Sequence, residues 1–266
     1  MDLFQAISEL TSHNKAGALC TVVRSSGSTP RQAGAKMLVY ADGSTLGSVG
    51  GGDLENRVVQ AANAAIKDEI PVYLEYDMGD TAKGDPRICG GHMEVFVDPL
   101  QPKAILLVIG AGHVGKAVAQ LAHWLGFRVV INDDRPEFCT PENVPDADEF
   151  IPGSISDLPE LYELNQNCYL VLTTRGAEID IEGLPALLQS QAAFIGVIGS
   201  RTRWTAARNG LIQKGIPQEK IDRVRSPMGL EINAETPEEI ALSIMSEIIM
   251  IRRGGDGGVM SKDLKK

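Results

Sequence analysis

The chain has 266 residues, of which 43% are apolar and 23% charged, which is typical of a globular protein long enough for two domains. Its 25 Lys and Arg residues stand against 35 Asp and Glu residues, giving a formal net charge of −10. This balance argues against nucleic acid or an anionic membrane surface as partner, because both would be repelled at long range. An anionic small molecule would need a local site.

The cysteines and the apolar runs indicate the compartment. Four scattered cysteines show no paired spacing, so the sequence predicts neither a disulfide framework nor a zinc cluster: Cys20, Cys89, Cys139 and Cys168. The first residues, MDLFQAISEL, lack a basic segment before an apolar one, and the longest apolar run, AILLVIGAG, is too short to span a membrane. We therefore expect a cytoplasmic protein with no membrane segment.

The first hundred residues predict an α+β domain, residues 1–100. A helix over 3–10 is followed by a strand over 16–24 and by a hairpin around Asp42-Gly43, a pair that tolerates a tight turn. Gly50, Gly51 and Gly52 then precede a helix that Asp53 is expected to cap. The segments PVYLEY and HMEVFV complete the domain as two further strands.

After Pro102 the pattern changes to strands alternating with helices, which predicts a parallel sheet. The expected fold class is α/β, with the α+β domain followed by a Rossmann-like doubly wound domain over 101–253 and a flexible tail over 254–266. A capping box at Thr236 and Glu239 marks the start of the last helix. The predicted strands are 104–109, 128–132, a weaker one at 149–151, 168–173 and 194–198.

The segment KAILLVIGAGHVGKAVAQLA contains the glycine spacing of a dinucleotide-binding loop, at Gly110, Gly112 and Gly115. Such a loop turns tightly and presents the start of a helix to an anion. Asp133, with Asp134 beside it, ends the next strand, where an acid can accept hydrogen bonds from a ribose. His113 lies inside the loop and admits two interpretations. It could contact a phosphate or a base, or it could simply be an exposed residue at the start of the helix.

Several arginines lie beside loops rich in glycine, serine or threonine, which suggests a phosphate-bearing ligand, although a single arginine is more often simply solvated. The segments VGGGDLE and GSRTR contribute further candidates for this site, namely backbone amides of glycines and Ser200. Glu55 in the first segment is a candidate partner for one of the arginines. The arginines are Arg24, Arg31, Arg87, Arg175, Arg201 and Arg203.

Cys89 in ICGG admits two interpretations. Small neighbours and Arg87 favour an accessible thiolate, whereas free cysteines are commonly buried as small apolar residues. Cys20 and Cys168 fall within strands and are expected in the core. The histidines show no metal-ligand spacing, and no base is positioned to serve a hydride acceptor.

Taken together and in order, these motifs resemble the xanthine dehydrogenase accessory family of XdhC and CoxI type over nearly the whole chain. The resemblance implies a protein that is not itself an oxidoreductase. Such a chaperone binds the molybdopterin-type molybdenum cofactor, protects it while a cysteine desulfurase supplies the sulfido ligand, and inserts it into an apo-molybdenum hydroxylase. The segments are SGSTPRQAGAKMLVY, GSVGGGDLE, ICGGHMEVFVDPL, IGAGHVGKAVAQLAHWLGFRVVINDDRPEF, FIGVIGSRTR and PMGLEINAETPEEIALSI.

By similarity, Cys89 would be the catalytic residue and a ligand of the metal or of its exchangeable sulfur, as a soft thiolate. A homodimer is implied by analogy. Ala177 and Arg225 stand where many relatives carry histidine, so no catalytic histidine is transferred. Two alternatives stay open: an NAD(P)-dependent oxidoreductase, and a nucleotide-binding regulatory protein that holds NAD(P) or another nucleotide in the Rossmann domain.

Overall fold

A computed structural model describes residues 2–77 and 91–261 of the chain. The chain divides into two compact units, Met1–Pro102 and Lys103–Lys266. Each unit contains its own sheet and its own hydrophobic core.

The first unit is an antiparallel sheet with two helices, as the alternating pattern of its strands predicts. The strands are arranged in the order β3-β2-β1-β5-β4. Apolar residues of α2 pack on one face, and α1 packs against β2 on the other through Leu10 and Leu38. The elements are α1 (Leu3–Ser12), β1 (Gly17–Ser26), β2 (Lys36–Tyr40), β3 (Thr45–Gly47), α2 (Gly52–Asp68), β4 (Val72–Asp77) and β5 (His92–Leu100).

The start of α2 differs from the sequence expectation in one detail. Gly51 caps the helix with φ of 79°, a backbone conformation that favours glycine, and Asp53 lies in the first turn instead. From there the Asp53 carboxylate pairs with Arg57 at 3.1 Å, one helical turn away. An acid in the first turn still suits the positive end of the helix dipole.

The second unit is a six-stranded sheet whose neighbouring strands all run parallel, in the order β11-β10-β9-β6-β7-β8. This is the doubly wound order of a Rossmann domain, and it confirms the predicted fold class. The elements are β6 (Ile105–Ile109), α3 (His113–Trp124), β7 (Arg128–Asp133), β8 (Glu149–Pro152), α4 (Leu158–Leu161), β9 (Cys168–Leu172), α5 (Ala177–Leu187), β10 (Phe194–Val197), α6 (Arg201–Gln213), α7 (Gln218–Ile221), β11 (Val224–Arg225) and α8 (Pro237–Arg253).

Helices cover both faces of the parallel sheet, so alternate residues of each central strand enter different cores. Leu106 and Val108 of β6 pack with α3 and α8, whereas Leu107 and Ile109 pack on the side of α4, α5 and α6. The strands therefore read as continuous apolar runs, as strands buried on both faces do.

The predicted capping box of α8 is confirmed. The Thr236 hydroxyl accepts a hydrogen bond from the Glu239 N–H at 3.2 Å, and the Glu239 carboxylate accepts one from the Thr236 N–H at 3.1 Å. Within the described residues, no helix is both long and apolar enough to cross a membrane.

Cys20 and Cys168 lie in the core, as expected. Burial raises the pKa of Cys20 to about 12 and that of Cys168 to about 11, so both thiols stay protonated near neutral pH.

Candidate functional site

A crevice opens at the carboxyl edge of the parallel sheet, where the strand order reverses between β6 and β9. Ligands of doubly wound folds bind at this switch point. Its volume is about 180 Å³, and it contains four of the residues that the sequence predicts: Gly110, Gly112, Asp133 and Arg175. The other lining residues are Ile109, Asn132, Asp134, Arg135, Ile155, Thr173, Thr174 and Ile179.

Two of the three loop glycines are required by close packing. A Cβ at Gly115 would lie 1.9 Å from the Gly110 carbonyl oxygen, and a Cβ at Gly110 would lie 2.7 Å from the carbonyl oxygen of Thr173. Gly110 also has φ of 106°. Both glycines therefore let the loop and the start of α3 press against strand β9 and its following residues.

At Gly112, neither close packing nor a positive φ requires glycine. Its φ is −76°, which any residue adopts, and a Cβ would meet nothing within 4 Å. It is the N-cap of α3 and contributes no side-chain cap, and the first helical hydrogen bond runs from the Lys116 N–H to its carbonyl at 2.9 Å. The N–H groups of the first helical turn thus lack intrahelical acceptors, beside open space that suits an anion.

Asp133 is buried, with only 2% of its surface exposed. Its carboxylate accepts hydrogen bonds from the N–H of Ala111 at 2.8 Å and from the N–H of Arg135 at 3.0 Å. Two guanidinium nitrogens of Arg135 donate to it as well, each at 2.9 Å. Although burial acts to raise the pKa of Asp133, the hydrogen bonds from Arg135 and Ala111 lower it below its ordinary value.

Asp134 and Arg175 form the exposed ion pair of the crevice. The guanidinium of Arg175 donates to both oxygens of Asp134, at 2.8 and 2.6 Å, in the bidentate geometry that arginine and carboxylate favour. Asp134 follows β7 and Arg175 follows β9, the two neighbours of β6. The pair therefore crosses the carboxyl end of β6.

A buried network supports the loop that carries Arg175. Arg203 of α6 donates to the carboxylate of Asp180 at 2.7 and 3.1 Å and to the carbonyl of Thr174 at 2.9 Å. The Thr174 hydroxyl also donates to Asp180, which is fully buried. The sequence suggests a ligand contact for Arg203, whereas in the structure its guanidinium neutralises the buried Asp180 and supports the loop.

The remaining predicted residues of the second unit lie outside the crevice lining. Gly115 is buried within α3, and His113 lines a separate groove together with Lys116, Asn143 and Glu238. Ser200 caps α6, its hydroxyl accepting a hydrogen bond from the Arg203 N–H at 3.2 Å. Arg201 is exposed at the first position of that helix.

In the first unit, Glu55 of α2 holds the glycine loop that precedes this helix. Glu55 accepts hydrogen bonds from the Ser48 hydroxyl at 2.6 Å and from the Val49 and Gly50 N–H groups at 3.2 and 3.3 Å. Although burial opposes it, these bonds lower the pKa of Glu55. The alternative that Glu55 pairs with an arginine is not seen among residues 2–77 and 91–261.

The glycines of this loop satisfy a backbone requirement, since φ is 150° at Gly50, 79° at Gly51 and 64° at Gly52. A Cβ at Gly51 would meet nothing within 4 Å, so the loop is open at that point. Arg31 is exposed in the connection between β1 and β2.

A cluster of titratable side chains on β1, β4 and β5 was not predicted from the sequence. Glu94 is buried and accepts hydrogen bonds from the Tyr73 hydroxyl and, at 3.1 Å, from Arg24. His92 contacts Asp77 at 2.6 Å and Glu94 at 3.3 Å, and these two hydrogen bonds raise its pKa. The sequence gives little indication of this cluster, because its members are up to 70 residues apart in the chain.

Cys89 and Arg87 lie outside the described residues. The candidate role of Cys89 as catalytic residue and metal ligand therefore stays a prediction. In the part of the chain that the structure describes, no group of three or more His, Cys, Asp or Glu side chains is arranged to hold a metal ion.

Comparisons with known proteins agree with both units. The family description "XdhC Rossmann domain" matches residues 106–248, and "XdhC and CoxI family" matches residues 10–77. The chain is 34% identical over 266 residues to the uncharacterized protein YqeB of Escherichia coli, covering 98% of this chain and 48% of that protein. It is 31% identical over 159 residues to a probable xanthine dehydrogenase subunit of Bacillus subtilis, covering 60% of this chain and 46% of the relative.

The chain thus spans about half the length of the curated relatives that it matches. A crystal structure of a xanthine dehydrogenase from Bacillus halodurans shares the fold with a TM-score of 0.53 at 22% identity, over 99% of this chain and 100% of the other. The Rossmann-domain match alone covers more than half of the chain. This chain therefore belongs to the XdhC and CoxI family of xanthine dehydrogenase accessory proteins.

Proposed function

We propose that this protein binds the molybdopterin-type molybdenum cofactor as cargo, protects it, and delivers it to an apo-molybdenum hydroxylase of the xanthine dehydrogenase type. The observation that carries the proposal is the uncapped N-terminus of α3 at Gly112, which opens into the same crevice as Arg175. Helix N–H groups and a guanidinium are the donors that a phosphate requires. Molybdopterin bears such a phosphate, and family membership supplies the link to molybdenum hydroxylases.

An NAD(P)-dependent oxidoreductase is the main alternative, and the acid that usually serves such a domain is already occupied in the crevice. The acid that would accept the ribose hydroxyls of NAD is Asp133, whose oxygens are occupied by Ala111 and Arg135. Mixing the protein with reduced nicotinamide cofactor and small carbonyl compounds tests this alternative, which turnover would support. A nucleotide-binding regulatory protein would instead bind an adenine nucleotide and carry no pterin.

The central experiment mixes the full chain with molybdenum cofactor and measures retention on gel filtration and transfer to an apo-hydroxylase. Arg175→Ala should lower retention roughly tenfold or more, because a charge-assisted hydrogen bond contributes about 1.5–3 kcal/mol. Arg208→Ala is the matched control, since Arg208 is exposed on α6 and bonded to Gln218. Equal retention by both variants would place the cargo elsewhere.

The first unit is tested by the same assay. Arg31→Ala removes an exposed charge from the loop between β1 and β2. If the first unit also binds the anionic cargo, this variant retains less cofactor than Arg208→Ala does. Retention equal to that of the control would assign the phosphate to the Rossmann unit alone.

We further propose that a cysteine desulfurase supplies the sulfido ligand while the cofactor is held, with Cys89 as ligand or sulfur relay. This role rests on the family resemblance and on the soft-ligand character of a thiolate. A Cys89→Ser protein should still bind cofactor but deliver it without the sulfido ligand, giving an inactive hydroxylase. Normal activity after delivery would remove Cys89 from the mechanism. The proposed homodimer is tested separately by light scattering of the full chain.

A further inference from the structure

Asp133 and Asp134, at the end of β7, differ in the hydrogen-bonding positions that remain for a ligand. Asp133 already accepts four hydrogen bonds, from the Ala111 N–H and from three nitrogens of Arg135. A carboxylate has about four acceptor positions, so this one is full. Arg135 is itself fixed, because its guanidinium lies 3.7 Å from the centre of the Phe138 ring.

Asp134 and Arg175, by contrast, retain unused capacity and face solvent. Their side chains are 44% and 50% exposed, and each uses only two hydrogen-bonding positions in their mutual pair. A guanidinium has five donors, so Arg175 keeps three for a ligand, while Asp134 keeps two acceptor positions. The pair crosses the end of β6 and lines the crevice together with Gly110 and Gly112 of the glycine loop.

A second, independent feature indicates that the crevice receives a ligand. Asn132 is 1% exposed and donates to the carbonyls of Ile151 and Gly153, yet its Oδ1 atom has no hydrogen-bond partner. Buried acceptors without partners are rare, and this residue lines the crevice. Ile155 and Ile179 add apolar walls that suit a flat ring.

We propose that Asp134 and Arg175 together recognise a nucleoside diphosphate, and that Asp133 belongs to the framework. The ribose diol donates to Asp134, and the diphosphate binds Arg175 and the N-terminus of α3. This inference deepens the proposed function and rests on its site, because it assigns the crevice to the nucleotide part of a dinucleotide form of the cofactor. Arg135 thereby determines which of the two acids remains for a ligand, since it occupies Asp133 and leaves Asp134.

The test measures binding of ADP, CDP, their 2′,3′-dideoxy analogues and inorganic pyrophosphate to the full chain by titration calorimetry. For the native protein, removal of the diol should weaken binding about tenfold, the effect of one good charged hydrogen bond. In Asp134→Asn this discrimination should fall below about twofold, whereas pyrophosphate should bind at least as tightly because Arg175 loses its competing partner. Glu137→Gln, an exposed acid nearby, is the charge-matched control and should keep the native discrimination.

Two results would overturn the inference: absence of ADP and CDP binding at millimolar concentration, or native discrimination between diol and dideoxy ligands in Asp134→Asn. Failure of the proposed function gives a different pattern. If nucleoside diphosphates bind as expected but molybdenum cofactor is neither retained nor transferred, the chaperone role falls and the assignment of Asp134 stands. If cofactor is retained and transferred while nucleoside diphosphates do not bind, only the assignment of Asp134 falls.

Discussion

Gly110, Gly112 and Gly115 are one motif in the sequence but meet different physical requirements. Gly110 needs its positive φ and its close approach to Thr173, and Gly115 needs the absence of a Cβ against the Gly110 carbonyl. Gly112 is demanded by neither backbone nor packing. The space beside it is the part of the motif that a ligand can use.

Substitution by alanine should therefore separate stability from binding. Gly115→Ala should lower the free energy of unfolding by about 3 kcal/mol or more, because the new methyl group meets backbone that cannot move aside. Gly112→Ala should cost at most about 1 kcal/mol, the usual penalty for alanine at an N-cap, while weakening cofactor retention. Urea unfolding and the retention assay measure the two effects. Equal destabilisation would mean that Gly112 is structural.

Asp133 makes stability depend on pH. Its folded-state pKa is lowered below the ordinary 3.8, so its contribution is fully present above that value and is lost as the pH falls through the folded pKa. The Asp133→Asn protein should be destabilised by about 1.5–3 kcal/mol at pH 7, because Arg135, whose side chain is 34% exposed, loses a charged hydrogen-bond acceptor. The difference in unfolding free energy between this variant and the native protein should narrow as the pH falls below 4. Urea unfolding from pH 7 to 3 measures it, and a constant gap would contradict the assignment.

Among elements, α5, α6 and the loop after β9 depend on one another through Arg203. Its guanidinium joins Asp180 of α5 to the Thr174 carbonyl, in a geometry that lysine cannot reproduce. Arg203→Lys should therefore lower the unfolding free energy by about 2 kcal/mol or more and reduce cofactor retention, since Arg175 lies in the same loop. Arg208→Lys on the same helix is the control. Retention unchanged in Arg203→Lys would show that the loop holds its shape without this network.

Elements defined by local pattern were predictable, and the contacts between distant elements were not. The central strands of the second unit are apolar runs, and α8 begins with a capping box between residues three positions apart, so both are visible in the sequence. Strand β11 has only two residues and escapes any pattern. The pair of Asp134 and Arg175 joins residues 41 positions apart, and its existence depends on strand order.

The same limit applies to Asp133, whose hydrogen-bond partners cannot be inferred from the strand pattern. The sequence shows an acid at the end of the second strand, the position of a ribose acceptor. Only the structure shows that Arg135, two residues later, folds back on that acid and occupies it. An arginine two positions after the acid is the signal that would have indicated this.

At the scale of the whole molecule, the two units have separate cores. Met37, Met93 and Val95 are fully buried within the first unit, and Leu106 and Leu170 within the second. A core of this kind, closed by helices on both faces of a sheet, is the property that lets a domain fold alone.

We therefore expect residues 103–266, expressed alone, to unfold cooperatively in urea and to bind pyrophosphate with an affinity within about threefold of that of the full chain. The physical reason is that every residue of the crevice, together with the framework of Asp133, Arg135, Asp180 and Arg203, belongs to this unit. Circular dichroism and calorimetry measure folding and binding, with Arg175→Ala in the same fragment as the control that should lose binding. A fragment that folds cooperatively but does not bind pyrophosphate would show that the residues of the crevice are not sufficient for binding.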